Sequence, residues 1–138
     1  MVYRQKSCGA VVYKMKNNEP LFLIEHMRKG HISIPKGRVE RNETEEETAI
    51  REIREETNLE VNLDTGFRET ITYSPRKNVI KDVIFFIAEA RSGEMRNQES
   101  EVIKLEWLPL DQALEIITFD QDKEVLRHAK EYIQQYNN

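Results

Sequence analysis

At 138 residues, 33% of them charged and 38% hydrophobic, the chain is expected to form one domain over 1–138 around a single core, and it contains no apolar run of about 18 residues that would span a membrane. The opening MVYRQKSCGAVVY has no signal-peptide layout, and the lone Cys8 excludes an internal disulfide, so a reducing, cytoplasmic setting is expected. A net charge of −4 is too mild to argue for or against nucleic acid, yet the whole excess lies between Gly37 and Leu59, where eight acidic residues meet four basic ones.

In chain order, residues 6–15 and 21–27 (LFLIEHM) read as strands separated by the turn-forming Asn17-Asn18-Glu19-Pro20. Pro35 disfavours a helical Ile34, and Pro second and Gly fourth suit a tight turn over Ile34 to Gly37. A helix begins at Thr44, which forms a capping-box pattern with Glu47. Ala49, Ile50, Ile53 and Thr57 give it one stripe, and Asn58 suits a left-handed stop. Strand patterns follow near 66–73, 79–90 and 102–108. The middle one, VIKDVIFFIAEA, is apolar enough to be buried on both faces. Two helices close the chain near 110–117 and 120–136, the second with Val125, Leu126, Ala129, Tyr132, Ile133 and Tyr136 on one side. Many strands with few helices imply an α/β chain, a mixed sheet layered by helices on both faces.

The stretch REIREETN, Arg51 to Asn58, crowds three glutamates together. At about 100° per residue, Glu52, Glu55 and Glu56 occupy an arc of roughly 100° beside the apolar stripe. Like charges at this spacing repel by a few tenths of a kcal/mol each. One reading is a solvated face with Arg51 paired to Glu55 or Glu47. The other is a divalent-cation site, because a hard ion takes carboxylate oxygens and completes its shell with water and phosphate. The helix alone leaves both open.

The spacing decides between them. Gly37, five residues, Glu43, seven residues, then Arg51-Glu52-Ile53-Arg54-Glu55-Glu56-Thr57-Asn58-Leu59 resembles the Nudix hydrolase signature G-x5-E-x7-R-E-U-x-E-E-x-G-U, where U is bulky and apolar. Eight of nine specified positions match. The departure is Asn58 in place of glycine, and asparagine also tolerates positive φ. The resemblance implies the Nudix fold, an α-β-α sandwich with a mixed sheet between helices, and cleavage of a pyrophosphate bond in a nucleoside diphosphate derivative.

It further implies Glu52, Glu55 and Glu56 as ligands of magnesium, with manganese as the alternative, and Gly37 as a backbone carbonyl near the ion. Arg51 and Glu43 are implied as a pair that orients the helix. A glutamate outside the box is expected as base or extra ligand, and Glu101 is chosen over Glu99. The alternative is that Glu101 is a surface residue where its strand begins.

Outside the box the chain resembles the bacterial, asymmetrically cleaving diadenosine tetraphosphate hydrolases, in GHISIPKGRVE, in KDVIFFIAEA and in ESEVIKLEWLPLDQALEII. Alternation places Lys81, Val83 and Phe85 on one strand face. Lys36 and Lys81 then suit a polyphosphate, Phe85 a stacked adenine, and Tyr73 stacking or a hydrogen bond. Each has a plainer reading: Phe85 as core, the lysines as ordinary surface, Tyr73 as a strand edge. The three histidines are expected to be satisfied or exposed, and Cys8 to be core.

The expected activity is therefore metal-dependent hydrolysis of a nucleoside polyphosphate, with diadenosine tetraphosphate cut to ATP and AMP. Alternatives are nucleoside triphosphates, RNA 5′ ends or inositol pyrophosphates, and, in another class, a silent nucleotide-binding module. All four box glutamates are present, which opposes silence. The expected partner is a small nucleotide, with no membrane and with the chain as monomer or homodimer.

Overall fold

Burial of both faces of the first strand sets the architecture. In the computed structural model, which describes residues 1–136, β1 (Tyr3–Lys16) sends Val11 and Tyr13 to one face and Cys8, Ala10 and Val12 to the other. Both sets are buried, so β1 is central. Asn17 and Asn18, both at positive φ, turn the chain tightly into β2 (Glu19–Met27), antiparallel to β1. The short strands β3 (Ile32–Ser33) and β4 (Lys36–Arg38) pair with β2 and β1 respectively.

After helix α1 (Glu45–Thr57) come β5 (Glu60–Arg76), β6 (Val79–Ser92) and β7 (Val102–Leu108), then helices α2 (Leu110–Ile116) and α3 (Asp120–Tyr136). The sheet runs β3-β2-β1-β6-β5, with β7 added on β2. Its β1–β6 pairing is parallel and all others are antiparallel, so the sheet is mixed as expected. α1 packs Ala49 and Ile53 onto Cys8, Ala10, Val12, Leu23, Ile84 and Phe86. α2 and α3 cover the opposite face, with Ala113, Val125, Leu126, Ala129 and Ile133 over Val11, Phe22, Ile24, Val83 and Phe85. The α-β-α layering follows from these two cores.

Three expectations change. The Ile34-to-Gly37 segment makes no tight turn, because Lys36, Gly37 and Arg38 extend to pair with Gly9, Cys8 and Ser7. β5 begins at Glu60, well before residue 66. Val61 and Leu63 alternate with polar neighbours and pack on the α1-side core, and the register shift between Asp64 and Glu69 divides this first part of the strand from the rest. Phe85 is fully buried in the core beneath α2 and α3, and its ring is not offered to a nucleotide base. Lys81 and Val83 do share its strand face, but only Lys81 reaches an opening.

Helix α1 stops as its sequence foretells. Asn58 adopts φ 65°, its N–H donates to the Arg54 carbonyl, and its side-chain Nδ2 donates to the Glu94 carbonyl at 2.7 Å. Asn58→Ala is therefore expected to lower stability by about 1–2 kcal/mol, the penalty for alanine in the left-handed region, readable as a shifted urea midpoint with an unchanged slope.

Candidate functional site

The acidic helix is held at both ends. Thr44 accepts from the Glu47 N–H while Glu47 accepts from the Thr44 N–H, closing the expected capping box. Farther along, Arg51 binds the surrounding carboxylates. Its Nε and Nη2 donate to both oxygens of Glu43 at 2.6 and 3.0 Å. Nη1 donates to Glu52 at 2.8 Å and to Glu55 at 3.2 Å, and Nη2 also reaches the Arg38 carbonyl. The guanidinium holds the Glu43 carboxyl down at about 2, helped by the Glu40 N–H and the Thr48 hydroxyl. Arg51 and Glu43 thus form the orienting pair that the motif implies, and Arg51 also neutralises two of the motif's other glutamates.

Gly37 lies directly against Glu52. A Cβ there would fall 1.9 Å from the Glu52 carboxyl carbon, so only glycine lets backbone and carboxylate meet. Glu56 points under the sheet and is 5% exposed; its Oε1 has no hydrogen-bond partner. Facing it is Glu25 on β2, 1% exposed and likewise with an unpartnered Oε1. Burial raises both carboxyls well above the ordinary range; Glu25 pushes Glu56 up further, the hydrogen bond between them holds Glu25 down, Glu52 raises both, and Lys36 opposes the shift in both. Glu52 is also raised, chiefly by burial, against the pull of Arg51. Glu55 is the outermost of the three, with 46% of its side chain exposed.

Lys36 links this carboxylate cluster to a cleft of about 630 Å³ on the other side of β4. Lys29, Lys36, Lys81, Tyr73, His31 and Phe119 line it, together with the buried Asp122. Burial and three neighbouring cations lower the Lys81 ammonium to about 8. The His31 and Phe119 rings stand 5.9 Å apart. Lys36, Lys81 and Tyr73 are thus brought together as the sequence suggests. His31 and Phe119 were not among the expected residues: His31 lies in the GHISIPKGRVE segment, where a satisfied or exposed histidine is expected, and an aromatic residue before a helix carries no local signal. Glu101 stands exposed before β7, fixed through its backbone to Arg28 and Gln98. Among the described residues its carboxylate joins no hydrogen bond or ion pair.

A family model for the NUDIX domain matches residues 3–129. The chain belongs to the Nudix family. It is similar to the asymmetrical bis(5′-nucleosyl)-tetraphosphatases of Rattus norvegicus, 30% identical over 93% of this chain and 95% of that one, and of Mus musculus, 32% identical with the same coverage. Among solved structures, the binary complex of the C. elegans Ap4A hydrolase superposes with a TM-score of 0.86. That enzyme is 25% identical and the match covers 95% of this chain and 98% of that one.

Nudix hydrolases use divalent metals, and the donor set here fits one. Glu56 and Glu25 each present a buried oxygen without a partner, and Gly37 leaves room for backbone against Glu52. Among the described residues no three acidic or histidine side chains converge closely enough to hold an ion as they stand; Glu52 and Glu55 lean on Arg51.

Two outcomes are expected from this geometry. Glu56→Gln keeps the shape of the side chain and replaces an acid that burial forces to hold its proton, so turnover falls about 10–100-fold while stability in chelator at neutral pH rises by about 1–3 kcal/mol; kinetics and urea melts check both. In EDTA the folded chain retains protons on Glu25 and Glu56 that the unfolded chain releases above about pH 4.5. The folded state then binds more protons, so stability must fall as pH rises from there through the raised values. Tm measured in EDTA should decline from pH 5 to pH 8, and saturating magnesium should largely abolish the decline.

Proposed function

We propose that this Nudix hydrolase cleaves dinucleoside polyphosphates, cutting diadenosine tetraphosphate asymmetrically into ATP and AMP with magnesium as its ion. The observation that carries the proposal is the lysine-lined cleft that opens beside the box carboxylates and shares Lys36 with them. The length and nucleotide specificity of the two tetraphosphatase relatives support the same substrate.

A tetraphosphate carries several negative charges in a row. Lys29, Lys36 and Lys81 supply a matching row of ammonium groups within one cleft. Tyr73, His31 and Phe119 supply planar faces for a base, in the role the sequence had suggested for Phe85. Arg51 keeps Glu43 fixed and holds Glu52 and Glu55 on the same helix as Glu56. A bound divalent ion would neutralise phosphoryl oxygens and lower the pKa of an attacking water. Glu101, exposed and outside the box, is the carboxylate we assign to accept a proton from that water. Attack forms one P–O bond to the water oxygen and breaks one bridging P–O bond, releasing AMP and ATP.

Incubation with diadenosine tetraphosphate and magnesium, followed by chromatography, is expected to yield equal amounts of ATP and AMP. Two molecules of ADP would refute the asymmetric cut. No products, with release from a nucleoside triphosphate or a 5′-triphosphorylated RNA, would move the substrate and leave the Nudix chemistry in place. Lys81→Met is expected to raise KM about 10–100-fold, the worth of a charged hydrogen bond, with a smaller effect on kcat. The wild-type KM should also climb as pH passes about 8, where the Lys81 ammonium loses its proton.

A further inference from the structure

The Nudix signature ends at Leu59 and begins at Gly37, so it does not contain Glu25. Glu25 sits inside the sheet, on β2 between Ser33 of β3 and Leu105 of β7. Strand alternation fixes its direction. Leu23, two residues earlier, is buried in the core beneath α1, while Ile24 is buried beneath α2 and α3. Glu25 therefore points to the α1 side, where Glu56 meets it from the helix.

The pairing is costly for the fold alone. An acidic side chain is almost never fully buried without a cation beside it, yet Glu25 is 1% exposed, its hydrogen bond is to another acid, Glu56, and its Oε1 accepts none. What faces it is another acid with an unpartnered buried oxygen, with a third acid, Glu52, close by. Lys36 is the cation nearest in influence, and it satisfies neither oxygen. A glutamine would fill the same volume and donate to Glu56, and an apolar residue would match Leu23. A carboxylate is the choice that serves a hard cation better than it serves packing.

We propose that Glu25 is a ligand of the divalent-cation site, contributing from β2 an oxygen that joins those of the box glutamates. The ion is then held between helix α1 and the sheet rather than by the helix alone. The depth of Glu56 becomes useful in the same step, since its unpartnered buried oxygen shares the cation with Glu25. The inference rests on the reading of Glu52, Glu55 and Glu56 as metal ligands, and it is independent of which nucleotide is cleaved.

The test is manganese binding to the whole protein without nucleotide, by calorimetry, together with the anomalous scattering of manganese in crystals of the wild-type chain. Glu25→Gln is expected to weaken manganese binding about 10–100-fold and to shrink the metal-induced rise in Tm. In the wild-type crystal the manganese peak should lie about 2.1 Å from a Glu25 oxygen, the distance for a small divalent ion. Glu25→Gln binding manganese as tightly as wild type, or a peak on Glu56 more than about 4 Å from Glu25, overturns the proposal. If the variant does not fold, the wild-type anomalous peak decides alone. Absence of manganese from the wild-type protein by both methods would overturn the underlying metal assignment as well, whereas an inactive enzyme on diadenosine tetraphosphate with normal manganese binding would leave this proposal standing.

Discussion

One guanidinium makes the acidic helix of this protein tenable. Arg51 donates to Glu43 through two nitrogens, to Glu52 and Glu55 through a third, and to the backbone of β4 at Arg38. Three carboxylates on neighbouring turns would otherwise repel one another in a partly desolvated setting. The planar fork of arginine suits this role, because it presents several donors in fixed directions and cannot lose its charge. Through the Arg38 carbonyl the same side chain ties the helix to the strand that carries Lys36 and Gly37. Helix, loop and cleft are thereby placed relative to one another by one residue.

That placement depends on close approach elsewhere in the sheet. A side chain at Gly9 would collide with the Pro35 carbonyl at 2.0 Å, and one at Gly37 would collide with Glu52. Two glycines on paired strands, Gly9 opposite Lys36 and Gly37 opposite Cys8, let β4 lie tight on β1. The consequence is functional as well as structural. Lys36 is left between the buried carboxylates and the lysine-lined cleft, and it belongs to both. Charge of both signs therefore meets across β4, acid on the α1 side and ammonium on the other, which suits a polyphosphate bridged by a cation.

The differences between sequence and structure have physical causes. The pattern in α1 was legible because helix caps and apolar stripes are local: Thr44, Glu47, Ala49, Ile53 and Asn58 all act within a few residues of each other. β6 was legible because burial on both faces leaves a continuous apolar run. The start of β5 was not, since its alternating stretch is only Glu60 to Asp64, follows directly on the stop of α1, and is cut from the rest of the strand by the register shift between Asp64 and Glu69. Phe85 was ambiguous in sequence, as alternation gives a strand face but not what covers it; α2 and α3 cover it.

By itself the sequence determined the family, the acidic helix and its ends, and the glutamates on which a divalent ion is expected, because those features are set by spacing along the chain. The tertiary structure alone decided that Glu25 faces Glu56 and that His31 and Phe119 join Lys36, Lys81 and Tyr73 around one cleft. Glu25 and Glu56 are 31 residues apart, and His31 and Phe119 are 88 apart. Their meeting depends on strand register and on which helix closes over which face of the sheet, and no local pattern encodes either.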